Sequence, residues 1–139
     1  MRYVPVNGLP SLHPLPAATL SMAEHHVVVE LDEASGERLR LDFSPLQAVR
    51  IRTVDLFIPP EETPFDRRAV VEVVDSPWLA DLSADLARAD SRATFMEHSR
   101  HFLMPAGDAV IEVAAWGVEW TAAGGGGRYP EEKVDPGWP

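Results

Sequence analysis

The chain has 139 residues, no cysteine, and 22 acidic against 12 basic side chains, for a net charge of −10. This composition excludes a disulfide scaffold, a Cys₄ or Cys₂His₂ zinc site and a cysteine nucleophile. It also argues against a nucleic-acid surface, which draws its affinity from neutralised phosphates, because the basic pairs Arg38/Arg40, Arg50/Arg52 and Arg67/Arg68 are scattered among acids. The length suits one domain, and folding a chain of this size buries roughly two-thirds of its unfolded surface. No apolar run approaches the roughly 20 residues of a membrane helix, and prolines interrupt the N-terminal stretch where a signal peptide would be continuous. The expectation is a cytoplasmic protein.

Three segments follow from composition: a proline-rich arm over 1–23, a globular domain over 24–122 and a Gly/Pro-rich tail over 123–139. The arm carries Pro5, Pro10, Pro14 and Pro16 and is expected to be extended or irregular, with Tyr3, Val4, Val6 and Leu9 able to pack along a sheet edge. From His26, Val27, Val29 and Leu31 alternate with Val28, Glu30 and Asp32. After a turn at Glu33–Gly36, Leu39, Leu41 and Phe43 alternate with Arg38, Arg40 and Asp42. Two period-two runs around a glycine-bearing turn predict a hairpin. Ser44-Pro45 reads as a turn. The next strand places Val49, Ile51 and Thr53 on one face and Arg50 and Arg52 on the other. Val54, Leu56 and Ile58 then shift the parity, which predicts a bulge or bend near Thr53.

Residues 59–68 read as a loop and Ala69–Val74 as a short strand. A helix follows at about 76–89, with Ser76 as N-cap, Pro77 at its first position, and Trp78, Leu79, Leu82 and Leu86 on one stripe. Ser99–Met104 and Ala109–Trp120 predict a final hairpin. Its second strand is apolar on nearly both faces, the mark of a central strand, and Gly117 marks a bulge or close backbone approach. Gly124–Gly127 reads as a flexible linker, with Tyr129 or Trp138 able to pin the tail. The predicted fold is α+β and mainly β: an antiparallel, curled sheet of five or six strands, a partly open barrel or sandwich, with one helix.

Val73-Val74-Asp75-Ser76-Pro77-Trp78-Leu79, His101-Phe102-Leu103-Met104 and Asp108-Ala109-Val110-Ile111-Glu112-Val113-Ala114 together resemble a widespread group of small bacterial proteins of unknown function. That group also has an early hairpin and a strand like Ala48-Val49-Arg50, so the resemblance spans residues 26–120. It implies a shared fold unit and a bacterial origin. It implies no activity.

Four sets of residues carry chemistry worth weighing. Glu97, His98 and His101, with His25 and His26, offer metal-ligand types, but no H-E-x-x-H or similar spacing supports a site, and the expectation is no metal and no cofactor. His101 and Glu112 fall on paired strands. They read as a polar clamp in a half-buried sheet, or as an acid–base pair if they line a cleft. Ser99 beside them raises a Ser–His–acid set, without the G-x-S-x-G elbow that would support it. Arg38, Arg40, Arg50 and Arg52 on facing strands suggest an anion patch, against a plain solvated face interleaved with acids. Trp78 reads as core. Trp116 and Trp120, two residues either side of Val118, form a candidate interaction surface.

Taken together, these features favour a non-enzymatic protein-interaction domain, either self-associating or an immunity-type or regulatory partner of a basic protein. The alternative is a small-molecule-binding protein or enzyme with a cleft near His101, Glu112 and Arg50. A structural subunit pairing through strand edges is a third reading. The first two are separated by geometry: a concave pocket at the hairpin–helix junction, or a flat apolar patch.

Overall fold

The computed structural model describes residues 1–57, 59 and 65–132. Among these are the strands β1 (Arg2–Pro5), β2 (Ala18–Ala23), β3 (His26–Asp32), β4 (Arg38–Thr53) and β5 (Val71–Val74). They are followed by the helix α1 (Pro77–Ala89) and the strands β6 (Arg100–Ala106), β7 (Ala109–Ala122) and β8 (Gly125–Tyr129). Short 3₁₀ turns lie at Val54–Leu56 and Phe95–His98. The fold is α+β and mostly β: one antiparallel sheet, not closed, in the order β1-β5-β6-β7-β4-β3-β2, with β8 also on β7. No helix among the described residues is long and apolar enough to cross a membrane.

β4 and β7 form the spine. They pair from Arg40–Thr121 to Thr53–Ala109. On its other side β7 carries β6 along its first half and β8 along its second. β7 contributes to apolar clusters on both faces of the sheet, Val113 and Val118 to one and Val110 to the other, which accounts for its near-continuous apolar run. The register of β4 shifts between Leu46 and Ala48. The irregularity predicted near Thr53 therefore lies earlier. At Thr53 the strand ends and the Val54–Leu56 turn begins, so the change of parity there is the end of pairing. Ser44-Pro45 does not turn the chain either, and β4 runs through it. The pairing of β3 stops opposite Phe43. A proline just beyond that point, next to a bulge, removes a donor where the ladder is already broken.

Eight strands exceed the five or six expected, and the extra ones come from the head and the glycine run. β1 and β2 are the two ends of the sheet, and edge strands tolerate a missing donor. Pro5 closes β1, while Pro10, Pro14 and Pro16 fall between the strands. β8 is a strand because of its glycines: a Cβ at Gly126 would lie 2.6 Å from the Trp120 carbonyl oxygen, and one at Gly117 lies 2.9 Å from that of Tyr129. Close backbone approach, the reading made for Gly117, extends to the whole β7–β8 pair. The tail is held by Tyr129, as anticipated, whose hydroxyl donates to Glu72 at 2.5 Å. Residues 60–64 of the 59–68 loop, Ile58, and the tail from Lys133 including Trp138 lie outside the described residues.

The two faces of the sheet differ. The inner face holds the main core, with Val27, Val29, Leu31, Leu39, Leu41, Phe43, Phe102, Met104, Val113 and Val118 all buried. Residues 6–13 run across this interior. Val6 and Leu12 donate backbone hydrogen bonds to Val70 and Arg68, while His13 donates to Asp32 and Ala34 donates back to Ser11. The head thus links the chain entering β5 to the end of β3 and the β3–β4 turn. The outer face carries a smaller cluster, Val71, Val73, Leu103 and Val110, with Tyr3, Phe57 and Phe65 against it.

α1 packs on this outer face. Ser76 caps it by accepting from the Leu79 N–H at 3.1 Å, and it ends at Ala89 as predicted. None of its residues is fully buried.

Leu12 has no exposed surface. Leu12→Ala should therefore cost about 2–5 kcal/mol in urea unfolding, the range for a core leucine. A loosely attached arm would give a change within about 0.5 kcal/mol.

Candidate functional site

Three neighbouring rungs of the outer face build one polar cluster. In the first rung Tyr3 opposes Val73, Val73 opposes His101, and His101 opposes Ala114. In the second, Val71 opposes Leu103, Leu103 opposes Glu112, and Glu112 opposes Arg50. Arg52 stands on the third, opposite Val110. Glu112 therefore faces Arg50 directly and His101 on the diagonal, a distance that long side chains span.

Glu112 is 1 % exposed, and its carboxylate is saturated. Oε1 accepts from Arg50 Nη2 at 3.0 Å and His101 Nε2 at 2.8 Å. Oε2 accepts from Arg50 Nε at 2.7 Å and Arg52 Nη2 at 2.8 Å. Burial pushes its pKa up, but the hydrogen bonds from His101 and Arg50 and the Arg50 charge outweigh this and hold it at about 2. His101 is buried too, and its Nδ1 lies 2.7 Å from Ser76 Oγ. Because that Oγ already accepts the Leu79 N–H, its own proton is free to go to Nδ1. Nε2 is then the protonated nitrogen and donates to Glu112. One serine so caps the helix and orients the histidine.

Trp78 stands over this cluster instead of entering the core. Its ring meets His101 edge-on at 4.9 Å, and the Arg50 guanidinium lies 4.4 Å from its centroid. Arg52 lies 5.5 Å from the Phe57 ring. Between these two walls is a cleft of about 270 Å³. Its floor is Glu112, His101, Leu103 and Val73, and Tyr3 and Asp81 stand at its sides. Burial, with the Glu112 charge adding to it and Arg52 opposing, raises the Tyr3 pKa. Arg52 Nε is buried in this setting without a hydrogen-bond partner among the described residues.

The expected residues are thus partly gathered and partly dispersed. His101, Glu112, Arg50 and Arg52 come together. Arg38 and Arg40 sit roughly 40 Å back along β4, at about 3.3 Å per residue. There Arg38 pairs with Asp32 at 2.8 Å and Arg40 opposes Glu30. The four arginines do not form one patch. Trp116 is 4 % exposed, donates to the Phe95 carbonyl at 2.9 Å and packs edge-on against His98. Trp120 packs on the inner core, so the two tryptophans lie on opposite faces. His26 pairs with Asp42, and no group of three or more potential metal ligands occurs among the described residues. Ser99 contacts Met96, while Ser76 holds the histidine. Sequence reasoning saw Ser76 only as a cap and passed over Tyr3 and Phe57. The available signal was that a helix cap directly after a strand lies beside whatever that strand's neighbour displays.

A second carboxylate, Glu72, is buried on the inner face. It accepts from Arg100 at 3.1 Å to each oxygen and from the Tyr129 hydroxyl. Burial, that hydrogen bond and the Glu72 charge push the Tyr129 pKa up to about 12. No family model, curated protein or solved structure matches the chain.

Glu112 titrates near 4.5 unfolded and about 2 folded, so its contribution to stability is complete above about pH 4.5 and lost as pH falls toward 2. The loss, on the order of 3 kcal/mol, should appear in urea midpoints measured across that window. Glu112→Gln should lack this component and be destabilised by about 3 kcal/mol at pH 7, since it strands two arginines.

Proposed function

We propose that the protein binds a small organic anion, a carboxylate with a compact apolar body, in the cleft beneath α1. The observation that carries this reading is the buried Arg52 Nε, an N–H donor with no acceptor among the described residues, in the wall of a cleft that has aromatic sides. Glu112 already accepts four hydrogen bonds, so it has no lone pair left to satisfy Arg52 Nε. Two guanidinium groups bind the one buried carboxylate, Glu112, while the cleft's other acid, Asp81, stands at its side. Trp78, Phe57 and Tyr3 offer flat apolar walls on which a small ring or branched chain can rest.

The same geometry supports binding over catalysis. A general base needs a free lone pair, and a nucleophile needs an accessible oxygen. His101 has both ring nitrogens engaged, and Ser76 is buried with its oxygen committed to the helix cap. The Ser76–His101–Glu112 chain acts as the clamp that holds the arginines in place. The interaction-domain reading drew on the acidic charge, the lack of a catalytic set and a surface formed by Trp116 and Trp120; only the last of these is addressed by their positions. With Trp116 buried and Trp120 on the inner core, that support is gone.

Calorimetric titration of the full chain with benzoate, cyclohexanecarboxylate and the uncharged cyclohexanemethanol provides the test. The expected outcome is saturable binding of the carboxylates only, weakened at least tenfold in Arg52→Gln. The tenfold figure corresponds to about 1.4 kcal/mol, close to the lower end of what a hydrogen bond to a charged group contributes. Binding of the alcohol as tight as the acids, or an unchanged affinity in the variant, defeats the proposal.

A further inference from the structure

A third buried carboxylate is in a different condition from Glu112 and Glu72. Glu33, at the β3–β4 turn, is 6 % exposed. Its Oε2 is buried and has no hydrogen-bond partner among the described residues. An ionised oxygen withdrawn from water without a donor is costly, and proteins normally supply a cation or several N–H groups. The nearest arginine along the chain, Arg38, is already committed to Asp32 and to the Ala17 and Glu30 carbonyls.

Beside Glu33 lies a cavity of about 230 Å³. It is walled by Gly8, Trp120, Gly124, Gly125 and Gly126, and among the described residues Glu33 is the one charged side chain in its lining. Glycine walls present bare backbone, and their carbonyl oxygens are acceptors. Trp120 is wedged there: a Cβ at Gly8 would come within 2.9 Å of its ring, and one at Gly127 would collide with it. A larger cavity of about 530 Å³ adjoins, sharing Gly8 and Trp120, with Arg100, Tyr129 and Glu131 in its walls. The net charge of −10 raises the local concentration of cations around the whole surface.

We propose that this glycine-walled cavity is a second ligand site, in which Glu33 pairs with the guanidinium or ammonium head of a small organic cation. A head group fits the narrow cavity, and the rest of the ligand extends past Trp120 into the larger one. The site is separate from the cleft under α1, because Trp120 packs on the inner core while Trp78 and Glu112 belong to the outer face. Either site can therefore fail its test without affecting the other.

Amide and indole N–H resonances of the ¹⁵N-labelled full chain read the site directly. Titration with methylguanidinium and with methylammonium chloride should give saturable shifts at Trp120 and Gly124–Gly126, absent with sodium chloride at equal ionic strength. A larger affinity for N-acetyl-arginine amide would place the head on a polypeptide side chain. An equal or smaller one would place it on a free small molecule. Glu33→Gln should weaken binding at least tenfold. Gly124→Val, where an added Cβ meets nothing within 4 Å, should fill the cavity and abolish binding in a folded protein. Shifts that fail to saturate, that sodium reproduces, or that survive in both variants overturn the assignment, leaving Glu33 to be satisfied by water alone.

Discussion

The ionised Glu112 in the middle of β7 constrains this structure more than any other residue. A carboxylate buried there is tolerable only if every lone pair meets a donor, because the cost of desolvating a charge is several kcal/mol unless it is paired and hydrogen-bonded. The donors come from three places in the chain: Arg50 and Arg52 on β4, and His101 on β6. Sliding β4 by one residue would bring Val49 or Ile51 opposite Glu112 and turn the arginines to the other face. The charge thus specifies the register of the spine as effectively as the apolar pattern does. It does so on the face where that pattern is weakest.

The requirement extends to the helix. His101 can present an N–H to Glu112 only if its other nitrogen is held as an acceptor, and the Ser76 hydroxyl at the start of α1 holds it. Asp75 just before it adopts a left-handed φ of 56°, a conformation that an aspartate tolerates better than most residues, and this turns the chain abruptly from β5 into the helix. α1 buries no residue fully, so its placement owes as much to this hydroxyl and to Trp78 over His101 and Arg50 as to its leucines. A helix seated partly on polar and aromatic contacts leaves room beneath it. That is where the cleft lies.

Prolines and glycines define the opposite face. Such residues weaken a strand when they stand in its interior, and composition alone assigns them to arms and linkers. Here those of the head and of β8 stand at edges and close approaches. Pro5 ends an edge strand, and the glycines of β8 let its backbone approach β7 where a side chain would collide with Trp120 or its carbonyl. The same bare glycines leave the cavity beside Glu33.

Local pattern was sufficient for the helix and its cap, the β3–β4 hairpin, the final hairpin and the central place of β7. Alternation and helical spacing are properties of neighbouring residues and are written directly in the order of amino acids. The association of His101 with Glu112 was legible for the same reason, since a short turn between two strands fixes their register within a residue or two. Only the tertiary structure decided that Arg50 and Arg52, about 60 residues away in sequence, saturate that carboxylate, while Arg38 and Arg40 on the same strand do not. It also decided that Trp116 and Trp120 part to opposite faces, that Leu12 enters the core, and that Glu33 Oε2 is buried without a hydrogen-bond partner among the described residues. Each of these depends on which distant strands become neighbours and where a ladder breaks. A long-range pairing is settled by the whole set of buried contacts and carries no short-range signature.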